Sequence, residues 1–135
     1  MKITVLGKPK GKGRPRFYRG HAVTPKSTRE YERLIVSRVK ENALEGQISI
    51  HINAYYPFDS KSNKAKRLKM ENNEIRPTKK PDIDNVIKIV LDALNGVAYG
   101  DDAQVVEVIA NKWFSEEPRI EIEVKEKNEL LQKEW

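Results

Sequence analysis

The sequence predicts an α+β fold, with helices packed on one face of a small mixed sheet of about four strands. Three observations carry that expectation. Stretches with an apolar residue at every second position are interspersed with stretches at helical spacing. Their order, β, α, β, (α), α, β, β, lacks the regular alternation of a doubly wound sheet. The chain has 135 residues and a hydrophobic fraction of 38%, the size and composition of one domain with one modest core. A single domain over 1–135 is expected, with a short charged tail from about 127.

Each element has its own signal. "KITVLG" reads as a first strand ended by Gly7. "KPKGKGRPRFYRGHA" carries three glycines and two prolines among basic side chains and reads as a loop. In "TPKSTREYERLIVSRVKENAL", Pro25 stands where a first helical residue belongs, and Tyr31, Leu34, Ile35, Arg38 and Val39 follow at helical spacing. "QISIHINAYYP" alternates Ile48, Ile50 and Ile52 with polar residues and stops at Pro57. "SKSNKAKRLKMENNE" is basic and weakly helical, with Leu68 and Met70 its only sizeable apolar residues, so it is expected to be exposed. A helix over about 82–95 follows, with Ile83, Val86, Ile87, Val90 and Leu94 as its stripe and Asn95-Gly96 as its stop. "QVVEVIANKWF" and "RIEIEVKEK" read as two last strands, joined through "SEEP" as a hairpin.

Composition excludes several classes. The apolar runs are far shorter than the roughly 20 residues of a membrane helix, and the amino terminus lacks a signal peptide's apolar stretch. With no cysteine, neither a disulfide framework nor a thiolate zinc site is available. A soluble intracellular protein is expected. The net charge of +6 is unevenly placed. Residues 1–40 hold twelve Lys and Arg against Glu30 and Glu32, a local balance of +10, and residues 61–80 hold eight against Glu71 and Glu74. Residues 101–135 instead hold ten acidic against five basic side chains. Two such blocks suit a polyanion partner, although a solvated basic face has the same composition.

"KKPDIDNVIKIVLDALNG" (79–96) sets Asp82 and Asp84 at a helix start. One aspartate there is an ordinary cap; capping explains two less well. "YGDDAQV" adds Asp101 and Asp102 just before a strand. Whether the two pairs converge depends on the path of the chain after the helix. If they do, their repulsion calls for a divalent cation, and oxygen donors beside substrate phosphate suit magnesium. A magnesium-dependent phosphodiesterase accounts for the carboxylates and the basic blocks together. Asp84, Lys88 and Asp92 recur at i, i+4 and i+8. That spacing allows either a surface ion-pair ladder or a Lys88 leaning toward the acidic cluster.

Other motifs fail on context. "DIDNV" has the form of a haloacid dehalogenase nucleophile but lacks a buried strand before it. An EF-hand is excluded by Val86, Ile87 and Ala93 at its fifth, sixth and twelfth places. "GKPKGKGR" is not a P-loop. His51 lies in a strand pattern and reads as structural, whereas His21 lies in the basic loop beside Phe17 and Tyr18, two candidates for stacking on bases. Tyr99 reads as an anchor.

"KPDIDNVIKIVLDALNGVAYGDDAQV" resembles the signature of the RusA family of Holliday junction resolvases, and "GKPKGKGRPRF" and "VTPKSTREYE" resemble its phage and prophage members. The resemblance covers about residues 1–125. It implies Asp82, Asp84 and Asp102 as essential metal ligands, Asp101 as a supporting one, and Lys88 as the accompanying catalytic lysine. It implies magnesium, with manganese as a substitute, and a cytoplasmic homodimer that nicks four-way DNA junctions in symmetry-related strands, for recombination and repair. Lys8, Lys10, Lys12, Arg14, Arg16, Lys79 and Lys80 would hold DNA phosphates, which positions DNA without reading sequence. The basic segment 58–80 has no assigned role. A non-catalytic DNA-binding module and a nuclease for flaps or single strands are the competing readings.

Overall fold

The computed structural model describes residues 1–127; most of the expected charged tail lies outside the described residues. Four strands make the main sheet in the order β1 (Lys2–Leu6), β6 (Arg119–Glu126), β4 (Ile48–Tyr56), β5 (Val105–Phe114). β6 runs antiparallel to both β1 and β4, and β4 runs parallel to β5. A separate two-stranded ribbon joins β2 (Arg16–Tyr18) to β3 (His21–Val23). The helices are α1 (Lys26–Ser37), α2 (Lys64–Glu71) and α3 (Ile83–Leu94).

β4 takes the centre because its apolar alternation is the strongest in the chain. Ile48, Ile50 and Ile52 are wholly buried, and Ile52 stands opposite Ile122, itself opposite Ile3. α1 and α3 pack on each other and on this face. The opposite face carries Ser49, His51, Asn53, Glu121 and Glu123, as expected of an α+β layer with helices on one side.

Three expectations change. β5 and β6 do not form a hairpin, because β4 lies between them. Burying β4 on both edges outweighs the local convenience of a turn at Ser115–Pro118. The buried side of α3 is Val86, Ile89, Val90, Ala93 and Leu94, with Ile83 exposed; α1 buries Thr28, Tyr31 and Ile35, while Leu34 faces out. The ribbon lies within what reads as loop, and its turn is made by Arg19 and Gly20, both at positive φ, as a tight hairpin requires.

The basic segment is docked. Asn63 caps α2 by accepting from the Lys66 backbone N–H at 2.8 Å. Met70 is wholly buried, and the Arg67 guanidinium lies 3.7 Å over the Phe58 ring, which stacks on Phe114.

Candidate active site

The first turn of α3 is where several parts of the chain meet. Asp82 occupies the N-cap position with extended backbone but makes no side-chain cap bond. Its carboxylate, like that of Asp84, is exposed, and neither forms an ion pair among the described residues. The capping explanation for Asp82 therefore fails on geometry. Both carboxylates are available to a ligand at the positive end of the helix dipole.

A strap over residues 76–82 brings Asp82 to the edge of β5. Arg76 stacks 4.0 Å from the Trp113 ring centre and donates to the Lys112 carbonyl and to Asn111 Oδ1, each at 2.8 Å. Lys112 Nζ donates to the Lys79 carbonyl at 2.6 Å, and Tyr56 Oη donates to the Pro81 carbonyl at 2.5 Å. Lys79 Nζ in turn donates to the Pro57 carbonyl and to Asp59. Burial pushes the Tyr56 hydroxyl far above its ordinary pKa, and the charge of Asp82 adds to the shift. Burial lowers the Lys112 ammonium, against the pull of Asp82.

The glycine loop crosses the same turn. The Lys12 backbone N–H donates to the Asn85 carbonyl at 2.9 Å. A Cβ on Gly11 would come within 2.8 Å of Pro81 Cβ and 2.9 Å of Asn85 Cβ. One on Gly13 would meet Thr28 Oγ1 at 2.7 Å, the atom that accepts the Gly13 N–H. These two glycines let backbone approach where a side chain would not fit. Lys8, Lys10, Arg14, Arg16 and Lys80 are exposed. Lys12 differs: its ammonium is held by Glu32 at 2.7 Å and Asp92 at 3.1 Å, tying α1 to α3. Lys79 is likewise engaged with Asp59.

The second acidic pair lies elsewhere. Asp101 is a local cap: its Oδ2 accepts from the Ala103 N–H, and Gln104 Oε1 accepts from its own N–H. Asp102 opens the short 3-10 turn Asp102–Gln104 and accepts from Tyr99 Oη at 2.8 Å. Tyr99 is wholly buried, and burial together with Asp102 raises its hydroxyl far above the ordinary value. β5 starts opposite Ile48 and ends opposite Tyr56, the residue that touches Pro81, so it runs back alongside α3. Asp82 and Asp84 therefore stand at one end of α3, and Asp101 and Asp102 at the other, about 18 Å away for a helix of this length. Among the described residues no three His, Cys, Asp or Glu side chains stand together as a metal site. The carboxylate oxygens suit a hard divalent cation in kind, but each end of α3 supplies only a pair.

Lys88 is exposed and makes no ion pair among the described residues. The alternative of an Asp84–Lys88–Asp92 ladder does not form, since Asp92 pairs with Lys12. Sequence reasoning missed Lys112, Arg76 and Tyr56. Lys112 alone leaves a trace there, a lysine in the otherwise apolar alternate series Val108, Ala110, Lys112, Phe114. The exposed ribbon, with Phe17 81% and Tyr18 65% exposed, projects from the same basic loop.

Among the described residues no helix is long and apolar enough to cross a membrane. A curated relative, "Uncharacterized protein YqaN" of Bacillus subtilis (strain 168), is 37% identical over 136 residues, covering 93% of this chain and 96% of its own length. Residues 7–125 match the family described as "Endodeoxyribonuclease RusA", which takes in the glycine loop, the strap, α3 and both acidic pairs. The chain belongs to the RusA family of endodeoxyribonucleases, the divalent-metal-dependent Holliday junction resolvases.

Proposed function

We propose that the protein resolves four-way DNA junctions in the cytoplasm by paired symmetric nicks, as a magnesium-dependent homodimer whose two centres are shared between protomers. The separation of the two acidic pairs along α3 is the observation that carries this reading. One chain offers Asp82 and Asp84 at one end of the helix and Asp101 and Asp102 at the other. In a two-fold dimer any contact between different surfaces occurs twice. Apposing the start of one α3 to the partner's 3-10 turn therefore completes two equivalent centres at once. Each would hold magnesium through Asp82, Asp84 and the partner's Asp102, with the partner's Asp101 in support. A magnesium ion held by these carboxylates would supply polarisation of the phosphate and neutralisation of developing charge.

The chain's own residues do the rest. Lys8, Lys10, Arg14, Arg16 and Lys80 hold backbone phosphates around the turn, and Lys88 stands one turn along α3 from Asp84. Lys12 and Lys79 organise the loop and the strap from within. Two centres related by a two-fold axis match the symmetry of a four-way junction.

Incubation with magnesium and a synthetic four-way junction tests this, beside a flap and a single strand of the same sequence. Paired nicks in opposite strands of the junction are expected, with the other substrates cut slowly. Asp82→Asn is expected to abolish cleavage and to retain junction binding. Cutting by this variant at the wild-type rate would reduce Asp82 to a structural residue.

A further inference from the structure

Side chains two apart on a strand share a face. On β5 the series Val108, Ala110, Lys112 and Phe114 stands opposite Ile50, Ile52, Ala54 and Tyr56 of β4, and those four β4 residues are buried. Lys112 thus occupies an inward position in an apolar row. An ammonium there loses hydration and calls for a compensating anion. None of the ion pairs among the described residues includes it. Its side-chain hydrogen bond goes to the neutral carbonyl of Lys79, and its Nζ lies 4.8 Å from the centre of the Tyr56 ring. Carbonyl and ring orient the amine without cancelling its charge. An ammonium has three N–H donors, so two remain beyond the one given to Lys79.

Lys112 lines an open cleft with Asp82, Arg76 and Asn111. Two cations face one carboxylate there. Arg76 arrives from the other face of β5 and is fixed by its bonds to Asn111 and the Lys112 carbonyl. The cleft carries excess positive charge beside a proposed metal ligand, and a phosphate diester supplies the missing anion.

We propose that Lys112 is a second active-site lysine, donating from Nζ to a non-bridging oxygen of a phosphate in the strand cut beside Asp82. This deepens the resolvase reading and rests on it. Lys112 transfers no proton: its fixed charge stabilises the phosphate oxygens, a role for which a compact ammonium is suited. It reaches the site from the sheet, whereas Lys88 reaches it from the helix.

Single-turnover cleavage of the junction in saturating magnesium tests the proposal on the full chain. Lys112→Gln keeps a donor for the Lys79 carbonyl without the charge, Lys112→Arg keeps the charge, and Lys112→Ala is assayed with and without added ethylamine. Lys112→Gln is expected to cut about 100-fold more slowly than wild type, the loss typical of one removed transition-state donor. Its melting temperature and junction affinity are expected to stay close to wild type. Lys112→Arg is expected to recover most of the rate, and ethylamine to rescue Lys112→Ala while leaving Asp82→Asn inactive. Wild-type cutting by Lys112→Gln overturns the role of Lys112 and leaves the resolvase reading standing. Equal losses in Lys112→Gln and Lys112→Arg without amine rescue overturn it too, making Lys112 a prop for the strap. A wild-type protein that nicks no junction overturns the resolvase reading, and this inference with it.

Discussion

At the scale of the residue, the carboxylates differ in what each already binds. Asp101 spends its side chain on the Ala103 amide, whereas Asp82 stands at a cap position and spends nothing there. Asp102 has one oxygen held by the buried Tyr99 hydroxyl, which sets its direction and leaves the other oxygen for a cation. Gly11 has no room for a side chain: a Cβ would lie 2.8 Å from Pro81 Cβ, one residue before Asp82, and 2.9 Å from Asn85 Cβ. Gly11→Ala must displace either the loop or the start of α3. It is expected to cost about 1–3 kcal/mol, as overpacking does, and to slow cleavage more than Lys8→Ala. Thermal melting and a cleavage time course check both parts. An unchanged melting temperature would mean that the loop moves aside freely.

At the scale of the element, the glycine loop is a charged strip laid across the first turn of α3. Its backbone is fixed by the Lys12 bond to Asn85 and by Gly13 against Thr28, and Lys8, Lys10, Arg14 and Arg16 are exposed along it. Neutralising Arg14 and Arg16 together is expected to weaken junction binding at all sequences. It is also expected to flatten the logarithmic salt dependence of affinity by about 2, the effect of two lost phosphate contacts. Titrations at four salt concentrations measure that slope, and an unchanged slope removes both arginines from the DNA interface. The ribbon that continues the loop presents Phe17 and Tyr18 with little covering them. Phe17→Ala is accordingly expected to reduce affinity without changing the slope.

At the scale of the whole molecule, the antiparallel run of α3 and β5 keeps the acidic pairs apart within one chain. If the centres are shared between protomers, mixing tests it directly. In a mixed dimer of Asp82→Asn and Asp102→Asn protomers, one centre collects both substitutions and the other collects neither. Each variant alone is expected to be inactive. The mixture is expected to regain single nicks in about half its dimers by random association, while paired nicks stay absent. A mixture as inactive as its parents would place each centre within one chain.

Much of this was legible in the sequence because it depends on local periodicity. β4 and α3 show their spacing plainly, and so do the α+β order and the basic and acidic blocks. The signature around Asp82, Asp84, Asp101 and Asp102 likewise lies in two short stretches of chain. The β2–β3 ribbon was harder to read, since three-residue strands carry too little alternation to stand out from a loop. What the tertiary structure decided were pairings between distant segments. Central burial of β4 overrode a β5–β6 hairpin. Lys12 became an internal ion-pair partner because Glu32 and Asp92 meet it from two helices. Lys112 came to face Asp82 because the strap crosses the edge of β5. Periodicity determines which face of an element is apolar, but the direction in which β5 returns is set by packing on β4. That direction decided that one chain sets its two acidic pairs at opposite ends of α3.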